Sequence, residues 1–414
     1  MMKSDRRCFL KSTGLALVAG AFVPGVFVRM AHAGEAANGR VLVAVFLRGA
    51  IDGLNAVVPY GESAYYAARR SIAIPRPGTD GGALDLDGFF GLHPALEPLM
   101  PLWKNGSLAI VHAAGSPHAS RSHFDAQDFM ESGTPGVKAT EDGFLARALE
   151  SGGEATSPLR ALSLTPQMPR ILAGAPDAIA VADIAKFGLR AGPETAEVTS
   201  SFESMYGAAV AGALGAAGRD SFEAGRILRD AQRSAEGPAN GARYPRGPLG
   251  NSLRQIAQLI RAGVGLEIAF TDLGGWDTHA NQGGSQGQLA ARLRELAAAL
   301  SAFATDLGSR MDDVTLVTMS EFGRTVAENG TRGTDHGHAT VMTLLGGGVK
   351  GRTVHGRWPG LDRDALFEGR DLAVTTDFRD VFAEVLTERM GIRDLSAVFP
   401  DHRIDGGRWP GVIA

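Results

Sequence analysis

The sequence predicts an α/β fold, a mostly parallel sheet with helices on both faces, and three observations predict it. Four apolar runs, 41–47, 108–113, 266–271 and 314–319, are short and do not alternate, the pattern of strands buried on both faces. A helical pattern separates the last two, with Leu289, Leu293, Leu296, Leu300, Phe303 and Leu307 stepping by four and three along one face. Each run leads into a polar loop containing glycine, and strands that alternate with helices build parallel sheets covered on both sides.

The elements follow in order. The run 41–47 is unbroken and ends in Arg48-Gly49-Ala50-Ile51-Asp52-Gly53. The run 108–113 ends in a Gly/Ser/Pro loop, ahead of a helix expected over 123–131. The run 266–271, interrupted only by Glu267, leads into Gly274-Gly275-Trp276-Asp277, and 314–319 leads into Ser320-Glu321-Phe322-Gly323. Residues 193–250 differ: Ala, Gly and Ser dominate, a long helical pattern occupies 202–233, and Gly, Pro and Asn mark 234–250 as a loop. This stretch reads as a helical insertion or cap.

The first residues read as a leader. Ser4-Asp5-Arg6-Arg7-Cys8-Phe9-Leu10-Lys11 resembles the twin-arginine consensus, with Asp5 where Ser or Thr is usual. The apolar stretch 14–28 is broken by Gly20, Pro24 and Gly25, so it is too interrupted to span a bilayer. Ala31-His32-Ala33 supplies a cleavage site, which divides the chain into a signal peptide over 1–33 and one α/β domain over 34–414. The expected location is periplasmic or secreted, with the twin-arginine translocase as partner during export.

Composition narrows the chemistry. The single cysteine, Cys8, lies in the leader, so the mature chain has neither a disulfide nor a thiolate ligand. Any metal must be held by carboxylates and imidazoles, which favours Zn, Mn, Mg, Ca or Fe. Lys and Arg number 41 against 45 Asp and Glu, with no basic run to track a phosphate backbone, so nucleic acid is not an expected partner.

In open α/β sheets ligands bind at the carboxyl ends of the strands, where the candidate residues stand. Asp52 is either a turn-capping carboxylate or one held at the sheet edge for a ligand. Asp277 and His279 are two apart, so in extended backbone both reach the same side. Thr334-Asp335-His336-Gly337-His338 is the densest cluster: two imidazoles and a carboxylate in four residues, in a chain of ten histidines, are the donors a metal site needs. His355 reads as a loop histidine. Ser122, at a helix start, is either an N-cap or a nucleophile placed where helix amides stabilise an anion.

Taken as a set, Phe46-Leu47-Arg48-Gly49-Ala50-Ile51-Asp52-Gly53-Leu54-Asn55, Ser122-His123-Phe124-Asp125-Ala126-Gln127, Gly274-Gly275-Trp276-Asp277-Thr278-His279, Ser320-Glu321-Phe322-Gly323-Arg324-Thr325 and Asp335-His336-Gly337-His338 resemble the bacterial domain-of-unknown-function 1501 family. That family is similar to the alkaline phosphatase and sulfatase superfamily, which implies an alkaline-phosphatase-like fold. The resemblance implies a metal-binding Asp after the first strand, at Asp52. It implies a second Asp and His at Asp277 and His279, here two apart where the superfamily spaces them by four. The Asp-His pair that ends a further strand resembles Asp335-His336; a second alignment puts Glu321 there and leaves His336 or His338 as the last metal histidine. No Cys-x-Pro-x-Arg sulfatase signature is present.

The expected function is an exported metal-dependent hydrolase of phosphate or sulfate esters. One ion would be held by Asp277, His279 and a histidine of 335–338, a second by Asp52 with Asp335 or Glu321, with Ser122 or water as nucleophile. Arg48, Arg121 or Arg324 would clamp the anionic transition state. The competing expectation is an exported, metal-stabilised binding or assembly protein without turnover.

Overall fold

The computed structural model describes residues 39–153, 157–184, 223–231, 233 and 237–414. The leader and most of the expected insertion lie outside the described residues. The apolar runs are strands, as their composition demands: β1 (Val41–Arg48), β2 (Leu108–Gly115), β5 (Ile268–Gly274) and β6 (Val314–Met319). Among the described residues five further strands join the sheet: β3 (Ala161–Ser163), β4 (Ala178–Ala180), β7 (Thr340–Gly346), β8 (Val354–His355) and β9 (Thr376–Asp377). The order is β8-β2-β7-β6-β1-β5-β3-β4, with β9 beside β2.

Among the described strands of this sheet, only β7 runs antiparallel to its neighbours, β2 and β6. This one reversal places the site. The parallel strands β1, β5 and β6 deliver the residues after their carboxyl ends, Asp52, Asp277 and Glu321, to a single edge of the sheet. A reversed strand delivers the residues before its start to that same edge, so the loop 334–339 arrives there too.

Alternation along the strands assigns the two faces. Ala109 and Val111 of β2 pack into a cluster with Phe378 and Phe382 of a helix α4 (Phe378–Glu388). Leu108 and Ile110 face Leu293, Leu296 and Leu300 of a helix α3 (Gln288–Leu307). Helices therefore cover both faces, and each fully buried leucine or phenylalanine contributes about 1.5–3 kcal/mol. A helix α2 (Pro248–Ala262) begins where the expected insertion ends. No helix among the described residues is long and apolar enough to cross a membrane.

Two buried histidines tie the core to pH. His93 donates to the Gly284 carbonyl and accepts from Ala95 N–H, while His112 donates to Val57 and accepts from Ala113. Burial pushes both down to about 4 from an ordinary 6.5. Between those values the unfolded chain binds protons that the folded chain refuses. Stability should therefore fall as pH drops from about 6.5 to 4, by up to about 3 kcal/mol per histidine. Urea midpoints compared at pH 7 and pH 4.5 check this, and equal midpoints contradict it.

Candidate metal centre

Three loops and one helix start meet at the sheet edge. After β5, Gly275 takes a φ of 92° and the chain turns back, so that Trp276 is fully buried and donates its indole N–H to the Leu273 carbonyl. That anchor presents Asp277, Thr278 and His279. The loop after β1 packs on the same turn: Gly49 has a φ of 113°, and a Cβ there would stand 3.0 Å from the Asp277 amide nitrogen. A helix α1 (His123–Ser132) begins with His123 at the edge, after Ser122 in extended conformation.

Three imidazoles are oriented alike by different acceptors. His123 Nδ1 lies 2.8 Å from Glu321 Oε1, His336 Nδ1 2.8 Å from the Arg121 carbonyl, and His279 Nδ1 3.1 Å from Asp335 Oδ1. Each partner can only accept, so Nδ1 carries the proton in every ring and Nε2 of the neutral ring presents a lone pair. All three Nε2 atoms turn to Asp277. His279 and His336 reach its Oδ1 at 3.0 and 3.1 Å, and His123 reaches its Oδ2 at 3.5 Å. His279 Nε2 and His336 Nε2 are themselves 3.0 Å apart. His123 Nε2 is buried without a hydrogen-bond partner.

Lone pairs at these separations repel unless positive charge lies between them. Ligands placed tetrahedrally about 2.0–2.1 Å from a Zn²⁺ ion are about 3.3 Å from one another, close to what is seen. Added protons relieve the contacts pair by pair, whereas one cation among the donors of His123, Asp277 and His336 relieves theirs together, since these lie within 4.8 Å of one another. His279 stands beside that group, against Asp277 and His336. His123, Asp277 and His336 thus form a possible metal site, open to solvent on the side where Asp277 and His279 are each 44 % exposed.

The surroundings hold the carboxylates of the site ionised. Burial alone would raise Asp277, but the charge and hydrogen bond of Arg324, 2.6 Å away, hold it below the ordinary carboxylate value. Burial would likewise raise Glu321, and donation from His123 and Gln127 outweighs it. Asp335 is lowered by hydrogen bonds from Asn329 and His279. The hydrogen bond to Glu321 raises His123 against the effect of burial, and burial lowers His336. The Phe322 ring stacks on His123 and leans on His336, both at 5.0 Å between centroids.

Of the residues expected from sequence, Asp277, His279 and His336 come together; the others are spent elsewhere. Asp52 is fully buried and accepts from Arg69 and Gln282 through Oδ2, at 2.7 and 2.6 Å. Glu321 accepts from the Gly49 amide, Gln127 and His123, so it stands behind an imidazole and orients it. Asp335 does the same for His279. His338, two residues beyond His336, turns away to the Ser116 carbonyl and packs on Phe367. His355 meets two backbone carbonyls, of Pro410 and Lys350. Among the described residues no second group of three His, Cys, Asp or Glu converges.

The arginines expected to clamp an anion are likewise committed. Arg48 donates to Asp272, Gln127 and Glu131, Arg121 to Asp371 and Glu368, and Arg324 to Asp277 and four backbone carbonyls. Ser122 is exposed and makes no capping bond, between Arg121 and His123. Sequence reasoning placed His123 beside the loop after β2 without assigning it a role. Its only local signal was a histidine in the first turn of a helix at the carboxyl edge of the sheet.

Comparison with known proteins gives a family and a set of distant likenesses. A family model described as "Protein of unknown function (DUF1501)" matches residues 40–402. No curated protein matches the chain significantly. Among solved structures, the lipoteichoic acid synthase LtaP from Listeria monocytogenes is 9 % identical, with 89 % of this chain and 76 % of that one covered and a TM-score of 0.39. The C-terminal periplasmic domain of EcEptC from Escherichia coli, in complex with Zn, is 11 % identical over 79 % and 77 %, at 0.38. A phosphonate monoester hydrolase of Agrobacterium radiobacter is 10 % identical over 88 % and 78 %, at 0.34. Likenesses this distant say nothing of the activity of this chain.

Proposed function

The chain belongs to the DUF1501 family, and from that premise we propose that it is an exported hydrolase of phosphate or sulfate esters that works with one divalent metal ion. The observation that carries the reading is the convergence of three Nε2 lone pairs on the Asp277 carboxylate at a solvent-open edge. His123, Asp277, His279 and His336 would hold the ion, which supplies Lewis acidity to an ester oxygen. Three nitrogens and a carboxylate favour Zn or Fe, and after them Mn, over Mg and Ca, which prefer oxygen donors throughout.

The chain's own groups prepare that site. Glu321, Asp335 and the Arg121 carbonyl fix the tautomer of each imidazole, as outer partners of metal-binding histidines do. Arg324 keeps Asp277 ionised. The Ser122 hydroxyl, exposed and without a capping bond, directly precedes His123 of the cluster in the chain and is the side chain offered as nucleophile. The leader supports export through the twin-arginine translocase, and replacing Arg6 and Arg7 with Lys should retain the protein in the cytoplasm. Export of that variant at the normal level contradicts this.

One observation favours a second reading, a metal-stabilised binding or assembly protein without turnover. Arg48, Arg121 and Arg324 are all engaged with carboxylates, so none is free to clamp an anionic ester. Hydrolysis of an aryl phosphate and an aryl sulfate by the metal-loaded mature protein separates the two. The hydrolase reading expects turnover that chelator abolishes and Ser122→Ala strongly lowers. Stoichiometric metal with no turnover of either ester supports the second reading.

A further inference from the structure

One buried amide connects the two loops that carry three of the four metal-directed side chains. Gln282, fully buried, lies after the Asp277–His279 turn and faces the loop that leads to His336. Its Oε1 accepts from Thr278 Oγ1 and from Thr334 Oγ1, each at 2.8 Å, and its Nε2 donates to Asp52 Oδ2 at 2.6 Å. The carboxylate can only accept, so it fixes which end of the amide faces which way. Thr278 sits between Asp277 and His279 in the chain, and Thr334 stands two residues before His336.

We propose that Gln282 is a positioning residue for the metal centre, clipping the Asp277–His279 turn to the His336 loop and anchoring both to the buried Asp52–Arg69 pair. The proposal rests on the metal reading of the cluster. Thr278 is 3 % exposed and Thr334 fully buried, so water does not stand in for the amide. Backbone bonds already pair the two segments, Thr334 N–H to the Thr278 carbonyl at 3.2 Å, Asn281 N–H to Thr331 and Gln282 N–H to Arg332, and the Gln282 amide adds the buried side-chain contact that ties Thr278 and Thr334 to Asp52. Asp52 thereby acts on the site through Gln282. This accounts for a carboxylate after the first strand that is not turned to the cluster.

The test uses the mature protein with Zn²⁺ or Co²⁺ alone, reading affinity by competition with a chromophoric chelator, the visible spectrum of the Co²⁺ form, and thermal unfolding of the metal-free protein. Gln282→Leu, and the pair Thr278→Val with Thr334→Val, should weaken binding by about 10–100-fold and alter the Co²⁺ spectrum, as loss of outer partners does. Thr278→Ser with Thr334→Ser keeps both hydroxyls and should restore affinity and spectrum. If Gln282→Leu fails to fold, the threonine pair decides. Folded variants that lose thermal stability but keep wild-type affinity and spectrum overturn the proposal and leave the metal centre standing. A wild-type protein that binds neither ion overturns the metal reading, and the clip with it.

Discussion

Replacing His336 with alanine is expected to weaken metal binding by about a hundredfold or more while leaving the fold intact. His336 Nε2 is 3.1 Å from Asp277 Oδ1 and 3.0 Å from His279 Nε2, so its lone pair sits at the centre of the group. Alanine offers no donor, and the three that remain leave the ion a side open to water. The ring is only partly buried, at 24 % exposure, so removing it opens no large cavity in the core. His338→Ala is the matched control: two residues away, its ring meets the Ser116 carbonyl and Phe367, and binding should be nearly unchanged. Titration of both variants against a chelator checks the contrast. Equal losses, or none, would contradict the assignment.

The largest effect on stability is expected from Arg69→Met. Arg69 and Asp52 form an ion pair whose side chains are 0 % and 1 % exposed. The guanidinium also reaches the Val326 and Thr325 carbonyls and Asn55 Oδ1, at 2.9, 2.9 and 2.6 Å. Methionine keeps much of the volume but leaves a carboxylate buried without its counter-charge. That arrangement costs about 3–5 kcal/mol. Asp52→Asn combined with Arg69→Met should recover part of the loss, since the neutral amide no longer needs the cation. Urea unfolding measures both. A loss below about 1 kcal/mol, the size of an exposed pair, would mean that the pair is not buried as described. If Asp52 were instead a metal ligand, added Zn²⁺ would selectively rescue Arg69→Met.

Much of the fold was legible because burial on both faces leaves a plain mark on composition. The run 314–319 is the strand β6 residue for residue, and the leucine steps from Leu289 to Leu307 are the helix α3. The short strands β3 and β4, of three residues each, are too brief for any period to show. The reversal of β7 was not legible at all, since strand direction depends on partners far away in the chain. It is this reversal that brings His336 to the edge where Asp277 stands.

Which candidate residues meet at the edge was only partly legible. Asp277, His279 and His336 come together there, but spacing treated His336 and His338 as equivalents. The backbone separates them: a Cβ on Gly337 would stand 2.3 Å from the Arg324 carbonyl carbon, so the loop is pressed flat there and the next side chain turns inward. Asp52 and Glu321 have the residue type and the strand-end position of ligands. Whether such a carboxylate faces an ion, an arginine or an imidazole is decided by partners such as Arg69 and His123, which no local window contains. His123 itself is separated from Asp277 by the whole middle of the chain, and only the sheet brings them together.

The most direct measurement is a crystal structure of the mature protein loaded with Zn²⁺, with anomalous diffraction recorded on both sides of the zinc edge. One peak is expected, about 2.0–2.2 Å from Asp277 and from Nε2 of His123, His279 and His336. Glu321 and Asp335 should stand behind the imidazoles, with Asp52 still paired with Arg69. A peak coordinated by Asp52 or His338, or no peak at the cluster in zinc-saturated crystals, would contradict the metal assignment.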